Sequence, residues 1–156
     1  IPTIKPAPRS FPTTNPAHRW LTRPPPRNLV AQGVGLVPAA GWSSWNVFGG
    51  GVTAEAVMWM ADVMVEKGLD KLGFVYVGID CGWDLRQRSQ SGDLQPDPKK
   101  FPQGIKHVAD YVKGLGDGLL KLGIYSEHDT ADCCGGPGMK GHEDQDAAFF
   151  KANGIE

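Results

Sequence analysis

Three short stretches of the chain hold side chains able to do chemistry. Asp80, Cys81 and Trp83 follow a strongly apolar run, Tyr125, Ser126, Glu127 and His128 follow another, and Trp45 stands in GWSSWNVF. Carboxylates beside tryptophans suit a sugar. The carboxylate accepts hydrogen bonds from hydroxyls, and the indole face covers the apolar C–H surface of a pyranose. Asp80 and Glu127 are two carboxylates of the kind a glycosidase uses, although the separation that defines such a pair is not written in the sequence. Cys81, placed after a buried strand, is a candidate nucleophile with His128 as its natural base. A metal is the competing chemistry, because His128, Asp129, Cys133, Cys134 and His142 fall within fifteen residues. Adjacent cysteines are not the Cys-x₂-Cys spacing of common zinc sites, however. The plainer readings are a turn cap for Asp80 and core material for the tryptophans.

The elements that position these groups alternate. Phe74–Asp80 is rich in β-branched and aromatic residues and nearly all apolar, which predicts a strand buried on both faces, as in a parallel sheet. Gly41–Phe48 predicts a short strand running into a loop, and Leu119–Tyr125 another strand. Thr53–Lys67 reads as a helix: Thr53 is a good N-cap, Glu55 suits the first turn, and Gly68 suits the left-handed residue that ends it. Its core face is expected at Val57, Met60, Ala61, Met64 and Val65. Ile105–Leu115 predicts a second helix, with Ile105, Val108, Ala109 and Val112 on one side. His142–Ala152 predicts a third, with Ala147, Phe149 and Phe150 on its apolar side. Asp84–Gln103 is a long polar loop of the kind that usually carries function. The order β, α, β, α, β, α predicts parallel strands joined by crossover helices. Sites in such folds lie at the carboxyl ends of the strands, which is where the three chemical clusters fall.

Composition narrows the classes. The 156 residues carry 16 basic and 17 acidic side chains for a net charge of −1, which argues against nucleic acid as a partner. No apolar stretch approaches the roughly 18 residues of a membrane span. Three cysteines, Cys81, Cys133 and Cys134, cannot all pair within the chain. Residues 1–28 hold eight of the 13 prolines and little apolar pattern, which predicts an extended or disordered leader ahead of a domain over 29–156.

From about Gly33 to Glu156 the chain resembles the N-terminal part of the α-galactosidase and α-N-acetylgalactosaminidase family, glycoside hydrolase family twenty-seven. VPAAGWSSWN is similar to that family's opening block, roughly PPMGWNSWN. LGFVYVGIDCGW resembles LGYxYxNIDDCW. FPQGIKHVADYV, LKLGIYSE and GHEDQDAAFFKANGIE resemble the next three blocks, and all five stand in the family's order. The resemblance implies the first three βα units of a (β/α)₈ barrel, which needs about 250 residues in full. It implies retaining hydrolysis of terminal α-linked galactose in an oligosaccharide or glycoconjugate, with no cofactor or metal, in an extracellular, lysosomal or vacuolar setting. In such enzymes one Asp attacks the anomeric carbon and another protonates the leaving oxygen. The resemblance places that nucleophile in a Lys-x-Asp motif just beyond Glu156, with the acid/base further on. The chain alone is therefore expected to be inactive and to associate through exposed strand edges. A non-catalytic carbohydrate-binding protein is the alternative.

Carried over by resemblance, Trp45 matches the tryptophan that packs against the sugar. Asp80 matches the first Asp of an Asp-Asp pair that binds galactose hydroxyls. Tyr125 matches a pocket-lining tyrosine, and Cys133 matches a cysteine of the following loop whose usual partner lies beside the nucleophile. Trp83 is expected beside them. The departures are specific. Cys81 stands where the family has its second Asp, so a weakly hydrogen-bonding thiol is expected there. Gly82 and Gly50 stand where the family has a disulfide, Glu127 replaces an Asp, and the GLGDGL connection is longer.

Overall fold

Val77 and Ile79 point to one side of a strand, and both are buried, while Tyr76 and Gly78 on the other side are half-buried. The computed structural model describes residues 38–155, so the expected leader over 1–28 lies outside the described residues. The apolar run therefore buries one face fully and the other only in part. Strands β1 (Gly41–Ser43), β2 (Tyr76–Ile79) and β3 (Lys121–Ile124) form a parallel sheet in the order β1-β2-β3. Ser43 pairs with Gly78, Gly78 with Gly123, and Ile79 with Ile124. The carboxyl ends of all three strands thus finish level with one another.

Among the described residues four α-helices accompany the strands: α1 (Trp45–Phe48), α2 (Ala54–Glu66), α3 (Gly104–Gly114) and α4 (Glu143–Ala152). Thr53 caps α2 by accepting from the Ala56 N–H at 3.3 Å, and Gly68 follows it with φ of 69°, a value that disfavours any residue with a Cβ. The buried face of α2 is Ala54, Val57, Ala61 and Met64. Met60 and Val65, expected in that face, are only half-buried. All four apolar residues predicted for α3 are buried. In α4 the expectation fails in an instructive way. Ala147 is exposed, Phe149 and Phe150 are half-buried, and the one fully buried side chain is Asp146.

One core unites these faces. Val77, Ile79 and Leu122 from the sheet, with Leu120 just before β3, pack with Val57, Ala61 and Met64 of α2 and Ile105, Val108 and Val112 of α3. Each Val, Leu, Ile or Met among them stabilises the fold by about 1.5–3 kcal/mol through removal from water. The long loop also reaches inward: Trp83, Leu94 and Phe101 are all at least 98% buried. Its own backbone is tied down by Leu85 N–H to Gln95 O and Asp97 N–H to Trp83 O, both 2.8 Å. Leu94 and Phe101 within the polar loop, with Trp83 just before it, anchor the segment to the core.

Candidate functional site

The level strand ends bring Ser43–Ser44, Asp80 and Tyr125 side by side. The Ser44 amide donates to Gly78 O at 3.0 Å, and the Tyr125 amide donates to Ile79 O at 2.7 Å, so the ladder runs one residue past each strand. Ser44 Oγ accepts from the Asp80 amide at 2.9 Å. The Asp80 carboxylate accepts from Ser43 Oγ at 3.2 Å and from the Cys81 amide at 2.9 Å. Each of its oxygens therefore has one protein donor, which fixes the group while leaving lone pairs for a ligand hydroxyl. Trp45 opens α1 directly after Ser44 and stays 44% exposed, so its indole is available to cover an apolar surface.

Tyr125 is held from the other side. Its hydroxyl donates to Glu127 Oε2 at 3.0 Å, and that bond, together with burial and the nearby Cys133, raises its pKa. Glu127 accepts as well from the His128 amide at 2.8 Å and lies 2.6 Å from His128 Nδ1. These bonds, the His128 side chain first, lower the Glu127 pKa. Glu127 is thus a carboxylate that orients the Tyr125 hydroxyl. His128 is almost wholly exposed and serves as its outer partner.

Three expectations for this site need correction. Trp83 does not offer a face to a ligand: it is 1% exposed, its ring stacks on Phe149 with centroids 6.0 Å apart, and its Nε1 donates to Tyr125 O at 2.9 Å. Its role is to fix the end of β3. Cys81 does not offer a thiol. It is fully buried and disulfide-bonded to Cys134, so it is neither a sugar-binding thiol nor a nucleophile served by His128. The cysteine and histidine cluster is also different from the one read in the sequence. Cys133 and Cys134 meet Cys81, not His142, which lies 3.2 Å from Gln145 Oε1. Cys133 itself is exposed and unbridged, with its sulfur 3.1 Å from Cys81 Sγ. Among the described residues these three sulfurs are the only set placed to share a metal ion, and the Cys81–Cys134 bond engages two of them.

Where the resemblance implies a bridge between residues 50 and 82, the structure has a close backbone contact. A Cβ on Gly82 would fall 2.7 Å from Gly50 Cα, so only glycine fits. Lys100 Nζ joins the two segments by donating to Gly50 O at 2.7 Å and Gly82 O at 2.5 Å. A cavity of about 350 Å³ beside them is bordered by Asp84, Arg86, Lys100, Cys134 and Gly136. Trp45, Asp80 and Tyr125 are not among its walls. Burial, then the charge of Asp132, pushes the Asp84 pKa up to about 6.

The loops around the site are locked by one ion pair that sequence reasoning missed. Arg88 donates to both oxygens of the fully buried Asp146 at 2.7 Å, to Gly92 O at 2.9 Å and to Gly138 O at 2.7 Å. That single guanidinium connects the long loop, α4 and the Gly-rich loop. Asp146 is one of three acids in the first turn of α4, with Glu143 and Asp144, and nothing in its local sequence sets it apart from them.

The chain matches the family model for α-galactosidase A over residues 37–156. It is 44% identical over 131 residues to an α-galactosidase of Coffea arabica, covering 83% of this chain and 34% of that protein. It is 44% identical over 119 residues to α-galactosidase A of Cellvibrio japonicus, covering 76% of this chain and 28% of the relative. Its fold superposes on α-galactosidase I of Mortierella vinacea with a TM-score of 0.75 at 37% identity, over 80% of this chain and 30% of that one. The α-galactosidase of Saccharomyces cerevisiae solved with raffinose gives 0.74 at 35% identity, over 80% of this chain and 26% of its own length. The chain spans about a third or less of these proteins.

Proposed function

Because the chain belongs to the α-galactosidase A family and has the N-terminal βα units of its (β/α)₈ barrel, we propose that it supplies the sugar-holding strand ends of a retaining α-galactosidase. The observation that supports this most is the convergence of Asp80, Trp45 and Tyr125 on level, adjacent strand ends. Asp80 accepts hydrogen bonds from galactose hydroxyls, and Trp45 covers the sugar's C–H face. Tyr125, with its hydroxyl oriented by Glu127, borders the same pocket. The exposed Cys133 lies next to it. The nucleophile and the acid/base are expected from sequence after Glu156, so the chemistry belongs to the longer protein. Substrates are terminal α-galactosides in oligosaccharides of the raffinose type or in glycoconjugates. The Cys81–Cys134 disulfide fits an oxidising compartment, and no helix among the described residues is long and apolar enough to cross a membrane.

A second reading, binding without turnover, is favoured by one observation. The position where the family's second Asp would help grip the sugar holds a cysteine consumed by a disulfide. Both readings share the same site and separate on turnover. The test is calorimetric titration of the full-length protein with galactose, alongside hydrolysis of an aryl α-galactoside. Asp80→Asn is expected to weaken galactose binding by about 10–100-fold, the loss of a charge-assisted hydrogen bond at about 1.5–3 kcal/mol. Unchanged binding in Asp80→Asn overturns the site. Binding without hydrolysis selects the second reading.

A further inference from the structure

Two consecutive serines at the end of β1 act on the two ends of one residue. Ser44 Oγ accepts from the Asp80 amide at 2.9 Å, and Ser43 Oγ donates to Asp80 Oδ2 at 3.2 Å. The strands dictate that meeting. Successive side chains on a strand point to opposite faces. On β2, Val77 and Ile79 belong to the core, so Gly78 and Asp80 belong to the other face. On β1, Trp42 packs against that core, so Gly41 and Ser43 share the face of Asp80. Two glycines hold the strands close enough for the contact. A Cβ on Gly41 would collide with Tyr76 O, and one on Gly78 would lie 3.1 Å from Trp42 O and 3.6 Å from Ser43 Cα. Gly78 is the register partner of Ser43, so the residue opposite has no side chain to stand between the Ser43 hydroxyl and the carboxylate.

We infer that Ser43 is a positioning residue of the sugar site: its hydroxyl sets the rotation of the Asp80 carboxylate, and through it the direction in which Asp80 accepts from galactose. The inference rests on the assignment of Asp80 as the galactose-binding carboxylate. The last torsion of an aspartate side chain is broad, so the donors around the carboxylate orient it. The Cys81 amide holds Oδ1 at 2.9 Å, and Ser43 holds Oδ2. The amide is present whatever side chain residue 81 carries, whereas the donor to Oδ2 depends on the identity of residue 43. With Cys81 taken up by its bond to Cys134, the end of β2 offers one carboxylate, and its direction decides what it can accept. A carboxylate held at one oxygen only must be immobilised when the sugar arrives, and that ordering is lost from the affinity.

The experiment is calorimetric titration of the full-length protein with galactose, in variants of residue 43. Ser43→Thr and Ser43→Val have nearly the same shape, suit a strand alike and differ in the hydroxyl. Ser43→Thr should bind galactose within about twofold of the parent, and Ser43→Val about 3–10-fold more weakly, the ordering of one side chain. Urea unfolding of the two should give one midpoint, because the hydroxyl serves the ligand and not the fold. In an Asp80→Ala background Ser43→Val should weaken binding by less than about twofold, because a residue that acts through another then has nothing to act on. Affinity in that background is read from the rise of melting temperature with galactose concentration. Equal galactose affinity in Ser43→Thr and Ser43→Val, with Asp80→Asn still weakened, overturns the role of Ser43 and leaves the sugar site standing. Unchanged affinity in Asp80→Asn overturns the site, and the role of Ser43 with it. A Ser43→Val loss that is undiminished in the Asp80→Ala background also overturns the inference, since Ser43 then acts without the carboxylate.

Discussion

Arg88→Met asks how much of this fold rests on one guanidinium. The substitution keeps the length and apolar stem of the side chain but removes four donated hydrogen bonds. Asp146 has 0% side-chain exposure and both its oxygens accept from Arg88 at 2.7 Å, while the Arg88 side chain itself is 12% exposed. Leaving one member of a buried pair uncompensated costs about 3–5 kcal/mol. Gly138 O, also buried, loses its donor as well. We expect a loss of about 4 kcal/mol, near a thousandfold in the folding constant. Urea unfolding followed by tryptophan fluorescence measures it from the shift in midpoint at a shared slope. Arg88→Lys keeps the charge but not the two-pronged geometry and should fall between the two. Replacing both partners, Arg88→Met with Asp146→Leu, should cost less than either single change, because no charge is then left buried. A single-variant loss under about 1 kcal/mol, or a double variant as unstable as the two singles added together, would refute the reasoning.

Other consequences are as direct. Burial raises the Asp84 pKa from its ordinary 3.8 to about 6, so between those values the native state holds a proton that the unfolded chain has released. Stability then falls as pH rises through that window. Asp84→Asn should raise the melting temperature at pH 7 and lose that advantage below about pH 4, and an equal effect at both values would refute the assignment. Trp83→Phe keeps the stack on Phe149 but strands the Tyr125 carbonyl, at a cost of about 1–3 kcal/mol by urea unfolding. If Trp83 lined the sugar site instead, galactose affinity would fall while stability held. Thr53→Ala removes the cap on α2 and should cost about 1 kcal/mol, with Thr53→Ser restoring most of it.

How much of this was legible in the sequence depended on range. Helix α3 was legible because Ile105, Val108, Ala109 and Val112 repeat at the spacing of one face, and all four are buried. The strand ends were legible because a polar residue closing an apolar run has few places to be. The burial of Trp83 is not legible because sequence gives a residue's position but not the direction of its ring. The side that matters was taken by Phe149, 66 positions away. The Arg88–Asp146 pair spans 58 positions and obeys no local period. Leu94 and Phe101 are isolated apolar residues in a polar loop with no periodicity, and only the packed core shows that they hold it down. The disulfide was undecidable for a simpler reason, since three cysteines allow three pairings and only spatial proximity selects among them.

The ammonium of Lys100, seated between Gly50 O and Gly82 O, has a consequence for the unfolded chain. A disulfide persists after unfolding and restricts the disordered ensemble; an ammonium between two carbonyls lets go as soon as either segment moves. The junction between these segments is therefore reversible, and it places no restraint on the random chain. The covalent restraint lies instead between Cys81 and Cys134, 53 positions apart, where loop closure is worth about 4 kcal/mol on the chain-entropy account. That link spans β2 to the loop after β3, so a refolding chain under oxidising conditions starts with these two strands already tethered. The first strand, and the glycine turn that follows it, must find their place unaided.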